Sequence, residues 1–292
     1  MNRGWGATLS LAMLSLAMPA NAETAMRAWT SIEYVASDRD VNPAQHEVNW
    51  YKGGGLTVRV LRDGTSTLTT DDYADPTRLD APLNYNGPNS AAAYVDFATG
   101  KLGVSAFAKG SGGATRYDTG NGYAEGIASL QEDLTFKAVG ATSDDLTVID
   151  YEAIVHGVFS GTGAWSAFGG LGYGPDGTRF DKTEQIAPDT WRLTGQASFR
   201  GASWTRDFDF QLMASARADG PGDQSAGSAD MMNTATIRFN LPSNVTMTSA
   251  SGKFLSAAGN SAVPEPGTWL TMLLGFGVIG VALRRRTVLR FV

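Results

Sequence analysis

The chain has 292 residues, 42% of them hydrophobic, which is enough to bury one substantial core. It contains no cysteine, and this excludes disulfides, thiolate metal sites and a cysteine nucleophile together. The net charge is −6, and Arg3, Arg284, Arg285, Arg286 and Arg290 lie at the two ends, so the middle is more acidic still; it repels phosphate backbones and argues against nucleic acid as a partner.

At the N-terminus Arg3 precedes a largely apolar run from Trp5 to Met18, which Pro19 breaks. Ala20-Asn21-Ala22 then gives the small-x-small pattern that signal peptidase requires. Residues 1–22 therefore read as a signal peptide, with Ala20 and Ala22 as the cleavage signal and the cut after Ala22.

The body, residues 23–256, is dominated by short alternating segments separated by Gly, Asp, Asn and Pro, the pattern of half-buried antiparallel strands. In chain order the predicted strands are Leu56 to Leu61, Ala93 to Phe97, Leu102 to Ala106, Tyr123 to Leu130, Leu134 to Val139, Tyr151 to Phe159, Thr190 to Phe199, Phe208 to Ala214 and Thr234 to Asn240. Thr99-Gly100-Lys101 reads as a hairpin connection. No comparable stretch has a 3.6-residue period. The abundance of glycine, 35 residues, suits tight turns better than long helices. The expected architecture is an all-β antiparallel sandwich, jelly-roll-like, with two inner faces forming one core. Asp71 to Pro88, Gly169 to Pro188 and Asp219 to Asp230 are rich in Gly, Pro, Asp, Asn and Ser and read as loops.

Residues 257–263 read as a flexible spacer. Val263-Pro264-Glu265-Pro266-Gly267 then leads into an apolar stretch from Trp269 to Leu283, closed by Arg284-Arg285-Arg286. As a helix, residues 269–283 rise only about 22 Å at 1.5 Å per residue, below the roughly 30 Å of bilayer hydrocarbon, so they span marginally. Thr268 and the aliphatic stems of the arginines extend the reach, and the basic cluster favours the cytoplasmic side, leaving the acidic body outside. Pro264-Glu265-Pro266, one apolar helix and a terminal arginine cluster together resemble the PEP-CTERM sorting signal over residues 264–292. That resemblance implies export across the inner membrane, transient membrane anchoring, processing by an exosortase, and a final place at the cell surface or outside the cell. Thr287 to Val292 extend past the arginines, further than in many such tails. Glu125 to Ser129 running into Leu134-Thr135-Phe136, and Asp230 to Thr236 followed by Ser249 to Leu255, are similar to segments of PEP-CTERM ectodomains.

Motifs that carry chemistry are scarce. His156 lies two residues after Ile154 and two before Val158, a parity that places it with apolar neighbours as a core or edge histidine. His46 follows Pro43 in polar sequence and reads as a loop residue. Neither sits in a zinc-ligand spacing, and there is no G-x-S-x-G elbow, so no catalytic residue and no metal ligand is assigned. Asp38-Arg39-Asp40 begins like a calcium loop, but Pro43 replaces the turn glycine and the twelfth position is Asn49, which rules out an EF-hand. Beyond that, no cofactor is expected except a structural calcium on loop oxygens near Asp71-Asp72 or Asp144-Asp145.

Aromatic residues offer a binding chemistry. Trp165, Phe168 and Tyr173 flank Gly-rich sequence, while Trp29, Trp50-Tyr51, Trp191 and Trp204 are dispersed; exposed rings would stack on sugars, and buried ones would fill the core. Core filling is the stronger expectation for the tryptophans. The reading as a whole is a non-enzymatic exported protein, associated through its resemblance with extracellular polysaccharide or biofilm matrix. A carbohydrate-binding module is the first alternative and a secreted glycan-active hydrolase the second.

Overall fold

A computed structural model describes residues 24–37, 40–51, 55–62, 65–72, 76–84, 89–112, 119–120, 122–172, 178–218 and 226–256. The expected signal peptide, spacer and membrane-spanning helix of the tail all lie outside the described residues. Among those described there is no helix. The alternating pattern explains why: along Leu146–His156, Thr147, Ile149, Tyr151, Ala153 and Val155 are buried while Leu146, Asp150 and His156 are exposed, so a two-residue period separates an inner from an outer face.

The strands are β1 (Thr24–Ser37), β2 (Asp40–Tyr51), β3 (Gly55–Arg62), β4 (Thr65–Asp71), β5 (Arg78–Asn84), β6 (Ser90–Asp96), β7 (Lys101–Lys109), β8 (Ser111–Gly112), β9 (Thr119–Gly120) and β10 (Gly122–Ala138). They continue with β11 (Leu146–His156), β12 (Val158–Ser160), β13 (Thr162–Leu171), β14 (Thr178–Arg179), β15 (Lys182–Ala187), β16 (Thr190–Arg200), β17 (Ser203–Ala218), β18 (Ala226–Asn240) and β19 (Val245–Ser249). A nine-stranded sheet runs β14-β13-β17-β10-β1-β2-β3-β4, with β19 beside β10 in line with β1. An eight-stranded sheet runs β15-β16-β11-β18-β7-β6-β5, with β12 beside β18 in line with β11. All pairings are antiparallel, and one core draws residues from both sheets.

The connectivity is nested. β7 pairs with β18, β10 with β17, β11 with β16 and β13 with β14, so the chain folds back on itself pair by pair. The hairpins β1 to β4 and β5-β6 widen the two sheets beyond this nest. Between β6 and β7 the expected hairpin forms at residues 97–100: Gly100 takes φ +62°, and the Thr99 N–H donates to Asp96 Oδ1 at 3.1 Å.

The core divides along the strands. At one end Phe97, Phe136, Tyr151, Phe208, Phe210 and Phe254 fill the gap between the sheets. At the other it narrows to Ile32 and Leu83 with Ala44, Ala91, Ala106, Ala108, Ala124, Ala216 and Ala218. Gly126 belongs to the narrow end: a Cβ there would meet the Ala92 carbonyl oxygen at 2.7 Å and that of Ser105 at 3.1 Å.

Several loop and face expectations are corrected. Asp71 to Pro88 contains β5, where Leu79, Ala81 and Leu83 point inward; Pro82 is tolerated because β5 is a sheet edge and needs no N–H on its free side. Gly169 to Pro188 contains the end of β13 together with β14 and β15, and β15 escaped notice because all its side chains are exposed. Residues 226–230 of the third expected loop already belong to β18, and residues 219–225 lie outside the described ones. His46 is a strand residue of β2, opposite Thr30. His156 shares the parity of Ile154 and Val158 as expected, but that is the outer face of the sheet; it is exposed, as is Val158.

Candidate functional site

The candidate binding rings sort by face. Trp50 is buried against Phe97, with Lys253 Nζ 5.3 Å from its ring centre. Trp165 of β13 and Trp191 of β16 come from opposite sheets and meet at 5.0 Å between ring centres, with Phe159 at 5.7 Å from Trp191. Trp204 stacks on Phe199 at 5.5 Å and 10°, and Arg206 lies over it. These four tryptophans serve the core and its margin, the stronger expectation. Tyr51 and Trp29 are half-buried, and Tyr173 lies outside the described residues. Phe168 is 53% exposed.

Phe168 stands on the face of the nine-stranded sheet that turns away from its partner sheet, because alternate β13 residues, Trp165, Ala167 and Leu171, pack into the core. Strand register places Gln211 of β17 opposite Phe168, and Ser129 of β10 opposite Gln211. One row along stand Asp209 and Gln131; the next row holds Asp207 and Asp133. Thr135 and Thr205 follow, their hydroxyls 2.8 Å apart. Gln131 Nε2 donates to Asp207 Oδ2 at 3.0 Å. Partial burial pushes the Asp207 carboxyl up to about 6, and the nearby Asp209 and Asp133 add to the shift while Gln131 opposes it. Asp209 is raised as well, chiefly by burial, although the Gly170 N–H bonds to it. An exposed ring beside amides, hydroxyls and carboxyls matches what a sugar needs, an apolar face to stack on and polar groups to bond hydroxyls. In the sequence Phe168 is one ring of a group with Trp165 and Tyr173; only the sheet pairing, which turns Trp165 toward Trp191, sets Phe168 on the outer face.

Elsewhere on this face Arg27 pairs with Glu47 at 2.9 Å, both poorly exposed. His46 reaches across to the other sheet, with Nδ1 2.8 Å from the Pro82 carbonyl oxygen of β5. Asp145 accepts from the Thr142 N–H and hydroxyl, a turn role that lowers its pKa. Asp71 ends β4 and Asp72 follows it. Asp40 opens β2 rather than a calcium loop, and Asp38 lies outside the described residues. Among the described residues no three His, Asp or Glu side chains gather in a way that could hold a metal ion.

The far end of the body leads to the sorting segment. Residues 262–286 match the PEP-CTERM protein-sorting motif. The chain carries a PEP-CTERM sorting motif. The match takes in Val263, Pro264, Glu265, Pro266 and Gly267 and ends on Arg286, the last of the three consecutive arginines, so the trailing residues 287–292 fall outside it. This motif marks an exported protein, targeted to the cell surface or beyond and addressed to an exosortase. No curated protein and no solved structure gives a match to the chain.

The body holds its last described segment firmly. Phe254 is buried among Phe97, Phe208 and Phe239 at ring-centre distances of 5.6, 5.9 and 6.4 Å. The Leu255 N–H donates to the Phe97 carbonyl at 3.0 Å, and the Ala250 N–H to that of Asp133 at 2.9 Å. Glu132, fully buried on the inner face of β10, accepts from the Ser251 N–H at 2.8 Å and from the Thr24 hydroxyl at 3.3 Å. Burial raises its pKa, and those hydrogen bonds work in the opposite direction. Only residues 257–261 separate this docked segment from the sorting motif.

Proposed function

We propose that the chain is a non-enzymatic surface or matrix protein built on a jelly-roll body. Signal peptidase cuts after Ala22, residues 269–283 hold the exported chain in the inner membrane for a time, and an exosortase then cuts near Val263-Pro264-Glu265-Pro266-Gly267. The released body associates with extracellular polysaccharide or biofilm matrix. The sorting motif at 262–286 carries this reading, and in the sequence it begins shortly after Ser256, the last described residue of the body. Mass spectrometry of both mature termini and cell fractionation, with and without an exosortase, test it. The expected product ends within or beside residues 263–267 only in the exosortase-bearing host. A tail left intact in both hosts refutes the reading.

A second reading, a carbohydrate-binding module, is favoured by the outer row of Phe168 and Gln211 with Asp209 and Gln131 beside it. It predicts that pull-down on extracellular polysaccharide weakens when Phe168 is replaced by alanine. Retention equal to wild type would remove that role from this face.

A further inference from the structure

The two sheets end on four strands, and three of them carry devices that discourage pairing with another chain. β14 has two residues. β15 presents Lys182 and Glu184 and breaks register between Gln185 and Ala187. β5 holds Pro82 and the exposed charges of Arg78 and Asp80. β4 has no proline and no register break, and its one charge, Asp71, stands at its end. Its sequence is Thr-Ser-Thr-Leu-Thr-Thr-Asp, its register with β3 is unbroken from Leu56↔Asp71 to Arg62↔Thr65, and all seven side chains are exposed. Leu68 at its centre is 61% exposed.

We propose that β4 is a self-association edge on which two copies of this chain join their nine-stranded sheets across a two-fold axis at Leu68. The strand is close to self-complementary about that residue. In the antiparallel pairing Thr67 faces Thr69, Ser66 faces Thr70 and Thr65 faces Asp71, so no like charges meet and small β-branched side chains pair throughout. Every second residue of β4 directs its N–H and C=O away from β3, and a second β4 satisfies those groups. Leu68 lies in the cross-strand row of Arg59 on β3 and Glu47 on β2, so the leucine of each copy is covered by its mate and by the aliphatic stem of Arg59. The pairing is isologous, so each copy's β4 is taken up by the other's and the contact closes as a dimer.

The absence of native cysteine gives a direct test on the full chain. Leu68→Cys places two thiols across the axis within the Cα separation of about 4.4–6.8 Å that a disulfide accepts. Ser66→Cys places them four residues of strand apart, roughly 14 Å. Under mild oxidation the Leu68→Cys chain should give a covalent dimer roughly tenfold more abundant than the Ser66→Cys chain, because only the first pair is within bonding reach. In sedimentation the Leu68→Lys chain, with unchanged circular dichroism, should run as a monomer where wild type runs as a dimer. Equal cross-linking at both positions, no cross-linking at either, or a dimer that survives Leu68→Lys would each overturn the proposal.

Discussion

The two ends of the sandwich solve one packing problem in opposite ways. At the wide end rings hold the sheets apart: Tyr151 and Phe254 each lie within 6.4 Å of both Phe208 and Phe239, centre to centre, in a chain of edge and tilted contacts. At the narrow end alanines and glycines let the backbones close in, and Gly163 and Gly227 also lie where a Cβ would run into backbone oxygen of a facing strand. The wide end draws its stability from burial of large apolar surface, and the narrow end from close fit. The lesson is that one end is damaged by removing atoms and the other by adding them.

The largest expected effect is at the wide end. Phe208 is fully buried and touches Tyr151, Phe239 and Phe254, so Phe208→Ala should cost about 3–5 kcal/mol in a denaturant titration of the body. The narrow end supplies the contrast. A single added methyl at Gly126 meets two carbonyl oxygens of the facing sheet, which move only if their strands move, and Gly126→Ala should cost about 1–3 kcal/mol. If Gly126→Ala were neutral, the close approach of the sheets would be wrong and the comparison would fail. A costly Gly126→Ala beside a mild Phe208→Ala would instead reverse the roles of the two ends.

A smaller effect concerns charge at the wide end. Asp207 there has a folded-state pKa of about 6, above the ordinary 3.8 of the unfolded chain. The folded state therefore binds more protons between these values, and stability falls as pH rises from about 4 to about 6. Asp207→Asn keeps an acceptor for Gln131 and removes the titration. Its thermal midpoint should vary less than that of wild type across this window and lie above it at pH 7. Parallel curves for the two proteins would show that Asp207 is an ordinary solvated carboxylate.

The same two ends explain what could be read in advance. Strands with one apolar and one polar face, such as Leu102 to Ala106 and Phe208 to Ala214, were legible because alternation reports a sheet with one wet side. β4 and β15 have no buried side chains and left no alternation to detect. β1 escaped for the converse reason: Trp29 and Ser31 on its outer face are at least half-buried like Ala28 and Thr30 on its inner one, so the pattern of Thr24 to Ile32 is blurred. His156 illustrates the limit of parity, since Ile149, Tyr151, Ala153 and Val155 won the core and left Ile154 and Val158 outside. The sorting segment was legible because a sorting motif is written locally, in order, within a few tens of residues. The outer row around Phe168 was not, because Phe168, Gln211 and Asp207 are brought onto one face only through strand pairing.

The smallest stability effect separates a ring that holds the sandwich from one that only stands on it. Trp165 and Phe168 are three residues apart on β13 and face opposite ways: Trp165 meets Trp191 across the core margin, while Phe168 is 53% exposed on the outer face. Trp165→Ala removes an inter-sheet contact and should lower stability by about 2 kcal/mol, less than a fully buried ring because Trp165 is only partly covered. Phe168→Ala should stay within about 0.5 kcal/mol of wild type, as exposed substitutions do. If polysaccharide retention falls with Phe168→Ala while unfolding is unchanged, binding belongs to the outer face. If it falls only with Trp165→Ala and in step with lost stability, the loss reports unfolding, and the face carries no binding role.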